Sequence, residues 1–355
     1  MSNKYKQYQQ FVIICISVLL WLQLTGCGKD HDNGASEQKA TVIYIAGEER
    51  ENAAAPFVAK YWKNGKATVL SAGSESNFAT GIALSSSGDV YVSGYQSGDA
   101  YIAKYWKNGK EASLTDGSTN AYALGIALKG DDVYVAGYEE NSSGIYIAKY
   151  WKNGVVVVLS DGSAKAFASG ISIINDDIYI TGYEKNNSTG NYMAKYWKND
   201  APVSLTDGSK DAYATDIAVS GNDLYITGYE KSATTNYFVA RYWKNNNAPV
   251  SLTDHQSHAY AEAIKIDDGN IYIAGYDQDY TVIDNVRYWK NGVEQKISGE
   301  QKYISATDVD VKNGEVYVTG TEAGTSVATM ARCWKNGSLV FSLNTESNFN
   351  AIVVQ

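Results

Sequence analysis

Histidine and cysteine each occur only three times in this 355-residue chain. Cys15 and Cys27 sit in or just after an N-terminal apolar run, and His31 follows closely. Cys333 is therefore alone, which excludes a disulfide framework and a thiolate metal site. His255 and His258 stand in "TDHQSHAY", and a His-x-x-His pair in a loop has the spacing of metal ligands. No third ligand accompanies them, so both read as solvated loop residues and no metal is expected. A Gly-x-Ser-x-Gly elbow, a phosphate loop and a dinucleotide fingerprint are also missing, and no cofactor is expected. Apolar residues at helical spacing do not appear, which rules out a helical solenoid. Positive charge is in deficit too. The formal net charge is −9 at pH 7, with the acids scattered, which disfavours nucleic acid and anionic lipid as partners.

The apolar run Phe11–Leu22 is too short for a comfortable membrane span. Lys4 and Lys6 precede it, and it leads into Leu24-Thr25-Gly26-Cys27, which resembles the lipobox of bacterial lipoproteins. That resemblance implies a signal peptide over 1–26 and a lipid on Cys27, so that the membrane is a partner through the anchor. Gly28 argues against retention at the inner membrane, so an outer-membrane position is expected. Lys29-Asp30-His31-Asp32 resembles the acidic surface-export signal of Bacteroidetes lipoproteins. Residues 27–40 are polar and aperiodic, the pattern of a flexible tether.

Beyond the tether the chain is repetitive. "AKYWKNG" at Ala103–Gly109 recurs so that seven tryptophans, Trp62, Trp106, Trp151, Trp197, Trp243, Trp289 and Trp334, lie 44 to 46 residues apart. A second string of the type "VYVAGYE" and a third of the type "FATGIAL" each occur seven times as well. All are short β-branched or aromatic runs bounded by Gly, Asn, Asp and Ser, which is the signature of strands. A weaker fourth run, such as "EASLTDG", follows each tryptophan. Four strands per repeat and seven repeats predict an all-β fold over 41–355, a seven-bladed β-propeller with four-stranded blades. The chain enters on the second string and leaves on the third, so the C-terminal strand is expected to join the first blade and close the ring. Asn-Gly after five of the tryptophans suits a two-residue type I′ hairpin, and Asn199-Asp200 and Asn245-Asn246 keep residues that tolerate the same positive φ. The tryptophans are expected in the seams between blades, with a carbohydrate-stacking platform as the other reading.

Segments such as Gly81–Tyr95, "GIALSSSGDVYVSGY", resemble the bacterial seven-bladed propeller repeat. The Trp-x-Asn-Gly element followed by Leu resembles the extracellular HAF repeat. The resemblance implies a secreted or envelope propeller. It implies no activity, because those families share neither an activity nor a catalytic residue.

Two patterns bear on chemistry. A basic residue stands two before every tryptophan, and an acid stands two after the second string's glycine in six repeats, with Gln96 as the exception. These are expected to form cross-strand ion pairs, one per blade. The second pattern is where repeats depart from themselves. The third string's glycine (Gly81, Gly125, Gly170) becomes Asp216 and Asp308, with Glu262, Lys265 and Asp310 nearby. Such carboxylates can line a channel, hold a ligand or do acid–base work. Loop length varies chiefly between the second and third strands (Arg50–Pro56, Asn141–Gly144, Gln278–Ile283), on the face that also carries His255 and His258. Ligand-binding candidates are thus Asp216, Glu262, Asp308, Asp310, His258 and Tyr280. The leading expectation is a monomeric, non-catalytic binding or scaffolding lipoprotein. It would recognise a glycan, peptide or protein outside the cell or in the periplasm on that variable face. The alternative is a propeller hydrolase or lyase acting on an extracellular polymer, with acids at the channel mouth.

Overall fold

Short β-branched and aromatic runs separated by residues that tolerate positive φ favour strands and tight turns. Twenty-eight strands form, β1–β28 in chain order, and no helix occurs among the described residues. The computed structural model describes residues 40–254, 256–278, 285–295, 297, 304–323 and 329–355. The segment expected to hold the signal peptide and tether, Cys27 included, lies outside the described residues, as do His255 and Tyr280.

Residues 41–355 make one unit of seven four-stranded antiparallel sheets, a seven-bladed propeller. The first blade runs from the inside outwards as β28 (Glu346–Val354), β1 (Ile43–Arg50), β2 (Val58–Lys63) and β3 (Lys66–Val69). The C-terminal strand is therefore innermost in the first blade and closes the ring, pairing from Ile43↔Val354 to Arg50↔Glu346. Blades two to seven each take four consecutive strands. Their inner strands are β4 (Asn77–Leu84), β8 (Ala121–Lys129), β12 (Ala166–Ile174), β16 (Ala212–Ser220), β20 (His258–Asp267) and β24 (Ile304–Lys312).

All seven repeat tryptophans are at most 2% exposed, and they fill the seams. Trp197 of blade four, for example, packs with Tyr134, Ala136, Ala148 and Tyr150 of blade three. Burying an indole of this size contributes about 4–6 kcal/mol at roughly 25 cal/mol per Å². The indole N–H of Trp106, Trp243, Trp289 and Trp334 has no partner among the described residues. An unmade bond costs about 1–3 kcal/mol, so apolar burial still dominates.

The turn after each tryptophan is left-handed at both central positions, as at Asn153 (φ 50°) and Gly154 (φ 81°). Asparagine does more than tolerate that conformation. Its Oδ1 accepts the amide that opens the neighbouring second strand, as from Val133 to Asn153 at 2.8 Å and from Val90 to Asn108 at 2.8 Å. The ion-pair ring is also present. Lys60–Glu49 (2.8 Å), Lys149–Glu139 (2.6 Å), Arg241–Glu230 (3.1 Å), Arg287–Asp277 (2.6 Å) and Arg332–Glu322 (2.7 Å) pair, as do Lys195 and Glu184. In blade two Lys104 bonds Gln96 and reaches Glu111 at 2.6 Å instead. The side chains of the six acid–base pairs are 9–23% exposed, so the attraction is set against the cost of desolvating both charges.

Candidate active site in the central channel

Every inner strand bulges at the same place, where its register against the second strand shifts. The bulge pushes a backbone carbonyl onto the second strand, which is why that strand carries glycine. A Cβ on Gly137 would lie 1.9 Å from the carbonyl oxygen of Tyr122. Bulges re-aim side chains, and here they turn Thr80, Leu124, Ser169, Thr215, Glu262, Thr307 and Asn350 into a central cavity of about 480 Å³.

Five of these seven tie neighbouring blades together. Thr80 Oγ1 donates to the Ala123 carbonyl (2.8 Å), Ser169 Oγ to Ala214 (3.0 Å) and Thr215 Oγ1 to Ala261 (2.8 Å). Thr307 Oγ1 donates to Phe349 (2.6 Å) and Asn350 Nδ2 to Ala79 (2.8 Å). Leu124 has no donor to give, and Glu262 has none while ionised. Among the described residues Glu262 has no hydrogen-bond partner. Burial in the channel wall alone lifts its carboxyl to about 7.

The other channel acids are held differently. Asp216 Oδ2 accepts the amide of Ile264 at 2.9 Å, and Asp308 Oδ2 that of Ile352 at 2.7 Å. Asp310 Oδ2 accepts Val354 N at 2.7 Å, while its Oδ1 meets Lys265 Nζ at 2.7 Å. Each of these amides belongs to the next blade. Burial raises Asp216 to about 6 against the pull of the Ile264 and Ile217 amides and Lys265. Asp308 is raised well above the carboxylate range, by burial first and by repulsion from Asp216 second. Burial draws Lys265 down, but Asp310, Asp308 and Asp216 together outweigh it and the amine is raised.

One end of the cavity is rimmed by aromatics. In blades two to six the residue after the second strand's glycine is a tyrosine. It packs on the next blade's inner aromatic, as in Tyr95–Tyr122 (5.0 Å between centroids), Tyr138–Phe167 (4.9 Å), Tyr183–Tyr213 (4.8 Å) and Tyr229–Tyr260 (4.9 Å). The belt breaks at blades seven and one, where Thr321 and Glu48 replace the tyrosine and Ser305 and Asn348 replace the inner aromatic. A recess of about 330 Å³ opens at this gap, lined by Thr80, Glu262, Tyr276, Ser305, Ala306, Thr307 and Asn350. Behind it, Glu48 is 3% exposed and accepts from Asn348 Nδ2 (2.7 Å) and Asn350 Nδ2 (2.8 Å). Burial outweighs both bonds and pushes its carboxyl up to about 8. Glu262 also helps to raise the phenols of Tyr183 and Tyr229 after burial itself, so its charge reaches the belt.

The structure thus brings Asp216, Glu262, Asp308 and Asp310 to one cavity. His258 is elsewhere and is not a loop residue. It opens β20, half-buried, and its Nδ1 accepts the amide of Phe238 at 3.2 Å. Asn120 does the same for Tyr101 (3.1 Å) and Asp211 for Tyr192 (2.9 Å), so this histidine fills a backbone-tying position of the repeat. Asp116, Asp161 and Asp207 close Asx turns on Ser118 (2.9 Å), Ser163 (2.8 Å) and Ser209 (2.9 Å). Among the described residues no three His, Cys, Asp or Glu side chains converge as metal ligands. Cys333 is buried, which pushes its thiol up to about 12. Sequence reasoning missed Glu48. Its signal was present, since "GEE" stands where five blades read "GY".

No family model and no curated protein matches the chain. Solved propellers do. One comes from a study of two prolyl endopeptidases (TM-score 0.53, 10% identity), covering 86% of this chain and 50% of that one. Another is an acylaminoacyl peptidase of Pyrococcus horikoshii (TM-score 0.52, 11% identity), covering 86% and 51% respectively. A third is the β-propeller domain of the Trilobed protease from Pyrococcus furiosus (TM-score 0.51, 11% identity), covering 83% and 89%. The chain spans about half the length of the first two. At such identities the likeness shows the fold. The Pyrococcus furiosus domain is described as having an open velcro topology, whereas pairing of β28 with β1 closes this ring.

The expectation of a non-catalytic recognition module on the variable-loop face is corrected here. The similar propellers belong to proteins described as endopeptidase, peptidase and protease. The perturbed acids, moreover, collect in the channel and its recess, where a purely adhesive module has no need of proton donors.

Proposed function

We propose that the propeller is a hydrolase acting on an extracellular polymer, with the central cavity and the recess that opens from it in the aromatic belt as its active site. The observation that carries this reading is Glu262, a channel-facing carboxyl held near 7 by burial with no partner among the described residues to stabilise its charge. A carboxylic acid half-protonated at neutral pH is suited to general acid catalysis. Asp216, raised only to about 6 and bonded to the amide of Ile264 two residues beyond Glu262, supplies the ionised partner. Incubating the soluble fragment 41–355 with a panel of envelope and extracellular polymers and following new chain ends tests the reading. Turnover lost in Glu262→Gln with the fold intact supports it, and turnover unchanged in that variant removes Glu262 from the chemistry.

The lipobox-like Cys27 supports an outer-membrane lipoprotein whose tether holds the propeller away from the membrane, and the repeat's resemblance to HAF-type extracellular propellers agrees with that address. Labelled palmitate entering wild type but not Cys27→Ser is the expected result. Lipid on the mutant would remove the anchor from Cys27.

A further inference from the structure

We infer that the central cavity and its recess take a carbohydrate chain whose reacting unit is uncharged or amine-bearing, and cleave it by hydrolysis rather than by elimination. This rests on the hydrolase reading above and narrows its substrate.

The kind of bond follows from the side chains available. Acyl transfer to serine or cysteine needs a base beside the nucleophile. The one histidine among the described residues, His258, is spent on the Phe238 amide, and the described cysteine, Cys333, is buried with Trp62 and Phe349. What the cavity offers instead is carboxyls, hydroxyls and an amide, with Tyr276 at the edge of the recess. Paired carboxyls are the working parts of glycoside hydrolysis. Hydroxyl, amide and aromatic groups are what a sugar's hydroxyls and faces engage.

The charge of the sugar follows from the charges around it. Asp216, Glu262, Asp308 and Asp310 line the cavity, against Lys265 as the sole cation among the described lining residues. Lys265 is already paired with Asp310 at 2.7 Å. A uronate, sulfate or phosphate on the reacting unit would enter a field of its own sign in a confined, poorly screened space. An ammonium group would be drawn in, and a neutral sugar would be indifferent.

The same inventory separates the two cleavage chemistries. Elimination removes a proton from the carbon beside a uronate carboxylate, and the charge that develops there must be met by a cation. No free cation lines the described wall. In hydrolysis the Glu262 carboxyl proton passes to the leaving glycosidic oxygen as the carbon–oxygen bond breaks. The oxygen of a water molecule bonds to the anomeric carbon, and that water's proton goes to Asp216. Solvent then returns a proton to Glu262 and takes one from Asp216, so the step closes without another reactant.

The test uses hexasaccharides of neutral, amine-bearing and uronate sugars in several linkages. Binding is measured by calorimetry to wild type and to Glu262→Gln, and cleavage is followed by mass of the products. At low salt the best uronate chain is expected to bind at least about tenfold more weakly than the best neutral or amine-bearing chain, with the gap narrowing as salt screens it. Asp216→Asn, which removes a carboxylate that is mostly ionised at neutral pH, should narrow the gap too, and it serves if Glu262→Gln does not fold. A uronate chain bound equally well, or a product carrying a new carbon–carbon double bond, overturns the inference. Neutral chains bound selectively but never cleaved would leave the charge selection standing and remove the hydrolase reading. No binding by any chain overturns both.

Discussion

Asp308 Oδ2 accepts the backbone amide of Ile352 at 2.7 Å, so a carboxylate of the seventh blade grips the C-terminal strand completing the first. Asp310 repeats the contact on Val354, also at 2.7 Å. Where blades two to four carry glycine at the position of Asp308, the neighbours press closer. A Cβ on Gly81 would lie 2.7 Å from the Leu124 carbonyl oxygen. The ring thus uses close backbone approach at some seams and carboxylate ties at others. Removing the acceptor would leave the Ile352 amide unpaired in the interior, which costs about 1–3 kcal/mol. Asp308→Ala is expected to lose about that much stability in urea unfolding, and Asp308→Asn, which keeps one acceptor, less. Equal midpoints for Asp308→Ala and wild type would show that the tie adds nothing.

Closure by β28 should be essential. Deleting residues 346–355 strips the first blade of its inner strand and leaves the β1 ladder unpaired along the channel, an open edge that recruits other chains. Loss of a cooperative melt, with aggregation in light scattering, is expected. A truncated protein melting like the full chain would mean that the ends close the ring in name only.

The turn asparagines combine two roles that substitution can separate. At Asn153, glycine keeps the left-handed backbone (φ 50°) and loses the side-chain bonds, from the Val133 amide and to Asp132 Oδ1 (2.7 Å). Alanine loses the conformation as well. Asn153→Gly should cost roughly 1 kcal/mol and Asn153→Ala about 1 kcal/mol more, read from thermal midpoints. The reverse order would show that backbone conformation is not what asparagine supplies.

Glu48 makes stability depend on pH. Its folded carboxyl sits at about 8 against 4.5 in the ordinary state, so the folded protein binds this proton more tightly. Its contribution is fully present below pH 4.5 and is lost as pH rises through about 8. The loss is on the order of 5 kcal/mol, at about 1.4 kcal/mol per tenfold change in proton affinity. Glu48→Gln should flatten the fall in unfolding free energy between pH 5 and pH 9, and should be more stable than wild type at about pH 9. A parallel pH profile for the two proteins would place the titration elsewhere.

The propeller itself was written in the sequence. Seven tryptophans at one period, each before a turn pair that accepts positive φ, leave little choice about strands, turns and blade count, because these depend on residues near one another in the chain. The ion-pair ring was legible for the same reason, since hairpin neighbours set its register. Asp216, Glu262, Asp308 and Asp310 stood out as departures from the repeat, but what distinguishes them did not. Three are tied to amides of the following blade and Glu262 has no hydrogen-bond partner among the described residues, and that difference exists only once the blades meet around the channel. Glu48 is the extreme case. Its neighbours Asn348 and Asn350 lie some three hundred residues away in sequence, and its proton affinity comes from desolvation by strands that converge only when the ring closes. A short period in the chain dictates local backbone; the energy of a buried charge is set by everything packed around it, and that is decided by tertiary structure alone.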